Sequence, residues 1–205
     1  MKKLLTILLS VVLCLGLAMA IGCNKDSGDY EVTAEEFVAA ISFANETNYK
    51  ISAVNTEYNT NDTTETYTLI AERVENKIKF VQSDETETET IYLEKDGETC
   101  YIYSLDGADY VKAPVDAMYF DTYATCNIAN MGFEYSQFTY NAEAKAYEAA
   151  SVTVGGSEYT NVSFKFENNK LVSFTASVSY GEYGSSTQVA TITYGDAAVT
   201  LPTVA

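Results

Sequence analysis

The side chains with most chemical potential in this sequence are four cysteines, 29 aspartates and glutamates, and 17 tyrosines; histidine is absent from all 205 residues. A serine or cysteine nucleophile needs a neighbouring base, most often histidine. A zinc site needs clustered Cys and His, and Cys100 and Cys126 stand 26 positions apart. The segment Gly181 to Ser186, "GEYGSS", lacks the spacing and the lysine of a phosphate-binding loop. Paired carboxylates can hydrolyse a glycoside, but among 29 acidic residues a close pair distinguishes nothing. The most biased stretch is Ser83 to Thr90, "SDETETET". Extended, it sets Glu85, Glu87 and Glu89 on one side and Thr86, Thr88 and Thr90 on the other. Calcium takes several carboxylate oxygens, but the order and glycine of an EF-hand are missing. A solvated hairpin or edge strand, guarded by its charge, is the expectation. The residue supply therefore predicts no enzyme, no metal and no cofactor.

One cysteine has a different chemistry open to it. Met1-Lys2-Lys3 precedes an 18-residue apolar run, Leu4 to Ile21, interrupted by Thr6 and Ser10. Two lysines before a short apolar stretch form the pattern of a secretory signal peptide; an uncleaved anchor is the alternative, at the lower limit of length for a membrane span. Next comes "AIGCNKD", Ala20 to Asp26. Gly22 directly before Cys23, and Ala20 three before it, resemble the lipobox of bacterial lipoproteins. That resemblance implies a cut before Cys23 and a diacylglycerol on its sulfur. Cys14 is an internal control, because bulky Leu13 precedes it. Two acyl chains suffice for stable attachment, at about 0.8 kcal/mol per buried methylene. Residues 24–30, "NKDSGDY", are polar up to Tyr30 and read as a tether reaching about 23–25 Å when extended. The expected organisation is a signal peptide over 1–22, the lipidated Cys23 and tether over 23–30, and one domain over 31–205.

Removal of residues 1–22 leaves 183 residues with 10 basic and 29 acidic side chains, a net charge of −19. Such a surface does not neutralise phosphates, so nucleic acid is excluded as a partner. Anionic headgroups repel it too, so membrane attachment falls to the lipid on Cys23. Cys100 and Cys126 are either a disulfide, which an extracytoplasmic setting permits, or two buried thiols. Nothing in the residues fixes an oligomeric state.

The elements follow from pattern. In "VTAEEFVAAISF", Thr33 and Glu36 form a capping box, and Phe37, Ala40, Ile41 and Ala44 share a helical face. From residue 49 onward Tyr, Thr, Val, Ile and Phe dominate, as in half-buried strands. Strands are expected near 49–58, 65–74, 77–83, 90–95, 98–104 and 109–112. After a break they are expected near 133–140, 146–154, 158–167, 170–180 and 187–194, with a short closing strand over 197–201. Asp96-Gly97 and Asp106-Gly107 mark hairpins; Glu75-Asn76 and Asn168-Asn169 can supply left-handed turn residues. Pro114 and Gly132 bracket a helical insert near 115–130, with Val115, Met118, Tyr119 and Thr122 on one face. Alternation puts Ile78 with Phe80, and Val162 with Phe164 and Phe166. It sets Val172, Phe174 and Ala176 against Leu171. One apolar and one polar face per strand describe an antiparallel sheet wet on one side. About eleven strands make such a sheet curl. The fold class is α+β: a large curved antiparallel sheet, half-barrel-like, wrapping an N-terminal helix and a central helical insert.

The capped "AEEFVAAISF", the meander containing "DGETCYIYSLDGADYVKAP", the insert, and a second meander ending in "ITYGDAAVTLP" resemble, in layout, the lipoprotein-carrier superfamily of LolA/LolB and LppX/LprG type. That resemblance implies a curved sheet enclosing an apolar cavity for acyl chains, on the outer face of a bacterial membrane. The expected lining is Phe37, Ile41, Met118 and Phe120 from the helices, and Ile78, Phe80, Phe164, Phe166 and Phe174 from the strands. Tyr101 and Tyr103 share the opposite face of their strand from Cys100 and Ile102. The other expectation is a filled core, with Tyr101 and Tyr103 binding a protein or wall polymer.

Cys23→Ala is expected to abolish incorporation of radiolabelled palmitate and to release the protein from the membrane fraction. Unchanged labelling and sedimentation in that variant would reject lipidation at Cys23.

Overall fold

The computed structural model describes residues 30–59 and 63–204. Cys23, the signal segment and the tether up to residue 29 lie outside the described residues. Helix α1 (Ala34–Ile41) precedes six strands: β1 (Asn48–Tyr58), β2 (Thr64–Val74), β3 (Lys77–Ser83), β4 (Thr88–Asp96), β5 (Thr99–Asp106) and β6 (Asp109–Val115). Helix α2 (Ala117–Ala124) and two 3₁₀ turns, Ile128–Met131 and Tyr135–Gln137, lead to β7 (Thr139–Asn141). The chain continues through β8 (Ala146–Val154), β9 (Ser157–Glu167), β10 (Lys170–Ser179) and β11 (Ser185–Tyr194). The eleven strands form one antiparallel sheet in the order β6-β5-β4-β3-β2-β1-β11-β10-β9-β8-β7, curved and not closed.

Most neighbours are hairpins, and their turns obey local chemistry. Asn168 (φ 52°) and Asn169 (φ 62°) are both left-handed between paired Glu167 and Lys170, as a type I′ turn requires. The Asp-Gly hairpins differ in detail from expectation. Asp96 pairs with Thr99 and Asp106 with Asp109, so Gly97 and Gly107 take the first loop position, at φ 62° and 66°. That is the place of glycine in a type II′ turn.

The capping box forms as read. The Thr33 hydroxyl accepts from the Glu36 amide at 3.3 Å, and Glu36 Oε2 accepts from the Thr33 amide at 2.8 Å. These bonds from Thr33 hold the Glu36 carboxyl below its ordinary pKa. Phe37, Ala40 and Ile41 are buried, whereas Ala44 is exposed beyond the helix end. The Phe37 ring lies 5.2–5.8 Å from those of Phe164, Phe166, Phe138, Tyr135 and Tyr147. Tyr147 also clamps the helix entry: its hydroxyl accepts from the Val32 amide at 3.0 Å and donates to the Val32 carbonyl at 2.7 Å.

Helix α2 departs from expectation. Pro114 lies in β6 opposite Tyr101 rather than opening the helix; an edge strand tolerates its missing donor. The N-cap is Asp116, whose carboxylate accepts from the Met118 amide at 2.8 Å. The buried face carries Phe120 and Ala124, while Met118 is 64% exposed and Tyr119 is exposed as well. A wholly apolar ring beside a small residue lets the helix approach the sheet, and the Tyr119 hydroxyl stays hydrated. Residues 133–138 are not a strand, and 197–201 form no closing strand; near the C-terminus Val204 forms an isolated bridge to Tyr110 on β6.

In β10, Leu171 pairs with Phe166 and Ser173 with Lys165, so Val172 is an inserted bulge residue. This turns Leu171 and Phe174 to the same buried side, correcting the simple alternation. The convex face carries a charge ladder: Lys50 and Lys79 flank Glu72, and Lys77 faces Glu94. Exposed pairs of this kind contribute about 0–1 kcal/mol each, but a slipped register would oppose like charges.

Residues 24–205 contain the whole described sheet and core. In urea titrations of that segment, Phe37→Ala is expected to cost about 3–5 kcal/mol and Thr33→Ala about 1 kcal/mol. A loss below about 1 kcal/mol for Phe37→Ala would contradict the aromatic clamp.

Candidate functional site

The inward row of β1 runs Tyr49, Ile51, Ala53 and then changes character to Asn55 and Glu57. The facing row of β11 changes at the same level. Ala53 pairs with Ala190, Asn55 with Gln188, and Glu57 with Ser186. On the other side Ala53 pairs with Leu69 and Asn55 with Tyr67 of β2. Tyr67, Asn55 and Gln188 thus form one polar row across three adjacent strands, directly beyond the apolar floor.

That row lines a cleft of about 300 Å³, open to solvent. Its apolar wall is Leu69, Phe80, Ala176 and Val178, and its roof is the connector between β6 and β7, with Tyr123 of α2 and, beyond the helix, Cys126, Asn127 and Met131. Tyr159 and Tyr180 complete the rim. Phe80 and Tyr123 meet edge to face at 4.7 Å, joining wall to roof. The connector turns sharply at Cys126 (φ 47°) and Asn127 (φ 66°), and the Cys126 carbonyl accepts from Gln188 Nε2 at 3.2 Å.

The polar groups are only partly satisfied. Asn55 Nδ2 donates to the Tyr67 hydroxyl at 3.1 Å, and that hydroxyl donates to Glu57 Oε1 at 3.0 Å. Asn55 Oδ1 and Gln188 Oε1 are buried acceptors with no partner among the described residues, and Gln188 is only 8% exposed. A buried acceptor left unmatched costs about 1–3 kcal/mol. Burial raises the Tyr67 and Tyr180 hydroxyls above the ordinary phenol pKa, and the Glu57 carboxylate adds to both shifts. Both phenols therefore stay protonated at neutral pH. Among the described residues no lysine or arginine lines the cleft.

Among the expected lining residues, only Phe80 reaches this cleft. Phe37, Ile41, Ile78, Phe120, Phe164, Phe166 and Phe174 are buried in the hydrophobic core. Phe164, for example, lies 5.0 Å from Phe174 and 5.1 Å from Phe138. Met118 faces solvent and lines nothing, because α2 is rotated to bury Phe120. Tyr103 is not a free surface tyrosine: it is 5% exposed, and its hydroxyl donates to Glu94 at 2.7 Å. Lys112 Nζ lies 3.0 Å from Glu94 and 4.1 Å above the half-buried Tyr101 ring.

The acidic stretch forms a solvated turn, with Asp84 Oδ1 accepting from the Thr86 and Glu87 amides at 2.6 and 2.8 Å. Among the described residues no three His, Cys, Asp or Glu side chains converge on a point. Asn55, Glu57 and Gln188 escaped the sequence reading. Their only signal is the loss of apolar alternation at one end of β1 and of β11, which acquires meaning once those strands are paired. No family model matches the chain, and no curated protein sequence matches it either.

Cys100 and Cys126 are separate buried thiols rather than a disulfide. Each is enclosed by its own packing, Cys100 beneath α2 and Cys126 at the connector turn. Burial pushes the Cys126 thiol up to about 12, so little thiolate is present at neutral pH. Residues 24–205, purified without reductant, are expected to show two thiols to Ellman's reagent after denaturation and almost none before. No titratable thiol in the denatured protein would mean that the two are bonded.

Proposed function

We propose that this chain is a lipid-anchored extracytoplasmic binding protein that holds a small amphiphile in the cleft between β1, β2, β10, β11 and the connector. The observation that carries the reading is the cleft's division into an apolar wall and a polar row with unmatched acceptors. An amphiphile satisfies both. Ligand sites span about 300–1,000 Å³, so a cleft of about 300 Å³ favours one short chain or ring rather than several acyl chains. The rings packed around Phe37 under the sheet support a small ligand too.

The mechanism is passive binding. Apolar area leaving water contributes about 25 cal/mol per Å², and the polar row orients the head. No reaction is proposed, because histidine is absent and the cleft phenols stay protonated. Attachment through Cys23 would hold the domain at the outer face of a bacterial membrane, where amphiphiles are concentrated. No described helix is long and apolar enough to cross a membrane.

A second reading, binding of a protein or wall polymer through the convex face, draws on the aromatic group that runs from Tyr101 past Tyr103 across β4, β5 and β6. Tyr92 and Tyr110 meet there at 5.7 Å, edge to face. Native mass spectrometry of residues 24–205, with extraction of bound material, separates the two. The expected result is a non-covalent small-amphiphile adduct that Val178→Phe, which narrows the cleft, removes without changing the circular dichroism. A bare mass for the unaltered protein, after incubation with an envelope lipid extract, would reject the cleft reading.

A further inference from the structure

We propose that the cleft selects an amphiphile with a cationic ammonium head, seated against Glu57. This rests on the amphiphile reading above and names the ligand class. Among the described residues the Glu57 carboxylate has one donor, the Tyr67 hydroxyl, and no ion pair. It is half-buried in a cleft that no described lysine or arginine lines. A partly desolvated carboxylate without a counter-charge is costly, and a ligand cation relieves that cost. Gln188 Oε1 and Asn55 Oδ1, on directly paired residues, are acceptors without donors. An ammonium group supplies charge and donors together, as three N–H bonds in a primary amine.

The surroundings favour the same head. Tyr67, bonded to Glu57, and Tyr159 line the same cleft, with the more exposed Tyr180 at its rim, and aromatic faces attract cations. The net charge of the mature chain, −19, raises the local concentration of cations and repels anionic heads. A divalent metal ion fits poorly, because it needs several charged oxygens and the described lining of the cleft offers one carboxylate. The apolar wall of Leu69, Phe80 and Val178 takes the tail.

The test is calorimetry of residues 24–205 with three probes sharing a tail: octylammonium, octyl sulfate and octyl glucoside, each below its micelle concentration. Octylammonium is expected to bind at least tenfold more tightly than the other two. Glu57→Gln should weaken it at least tenfold, whereas Glu143→Gln, an equal change in charge on an exposed turn, should not. Equal binding of all three heads would overturn the ammonium inference and leave the amphiphile reading standing. Equal weakening by Glu57→Gln and Glu143→Gln would assign the attraction to overall charge and overturn the seat at Glu57. Binding of none of the three would overturn both readings.

Discussion

The pairing of β1 with β11 is the constraint on which the rest of the structure depends. Almost every other strand contact is a hairpin or a meander step that local turn chemistry can set. This one joins the two halves of the chain over ten residue pairs, from Tyr49 with Tyr194 to Tyr58 with Ser185. Without it there are two separate meanders, each with an exposed edge and half a core. Gly184, at φ 109°, marks the tightest point of the seam. A β-carbon there would run into the carbonyl oxygen of Tyr58. The contact is far apart in sequence, so its loop-closure entropy opposes early formation.

The two halves of the concave face are then covered differently. Over β8 to β10 the cover is aromatic, with Phe37, Phe133 and Phe138 interlocked with Phe164 and Phe174 at ring spacings of 5.0–6.1 Å. Over β2 to β5 it is α2, with Phe120 beneath the Arg73 guanidinium at 5.5 Å. The connector must run from one sheet edge to the other because β6 and β7 lie at opposite ends. Its crossing leaves the cleft where neither cover reaches. The unmatched acceptors there lower stability, and a site that gains donors only when occupied is a reasonable place for that cost.

Charge is arranged on the same plan. The convex face pairs Lys50 and Lys79 with Glu72, and Lys77 and Lys112 with Glu94, so that each of these acids is flanked by bases. Among the described residues the cleft is lined by an acid, Glu57, and by no lysine or arginine. Acidic excess over the sequence as a whole, 29 acidic against 12 basic side chains, keeps the domain hydrated.

Much of the architecture is legible in single segments. Period-two alternation marks the strands, the Thr33–Glu36 box marks a helix start, and Asn168-Asn169 marks a turn, because each depends on residues within a few positions. Pro114 misleads, since a helix start and an edge strand excuse its missing donor equally well. The bulge at Val172 breaks the alternation that placed Leu171 outside. The cleft was beyond reach for a stronger reason. Asn55 and Gln188 are separated by 133 positions and become neighbours only through the register of β1 on β11. Aromatic content told how much core there was, and tertiary packing decided that it fills with rings. What the sequence by itself determined is which residues can form which elements. Only the tertiary structure decided which polar side chains are left facing one another unmatched, because burial and register are properties of strand pairs and not of strands.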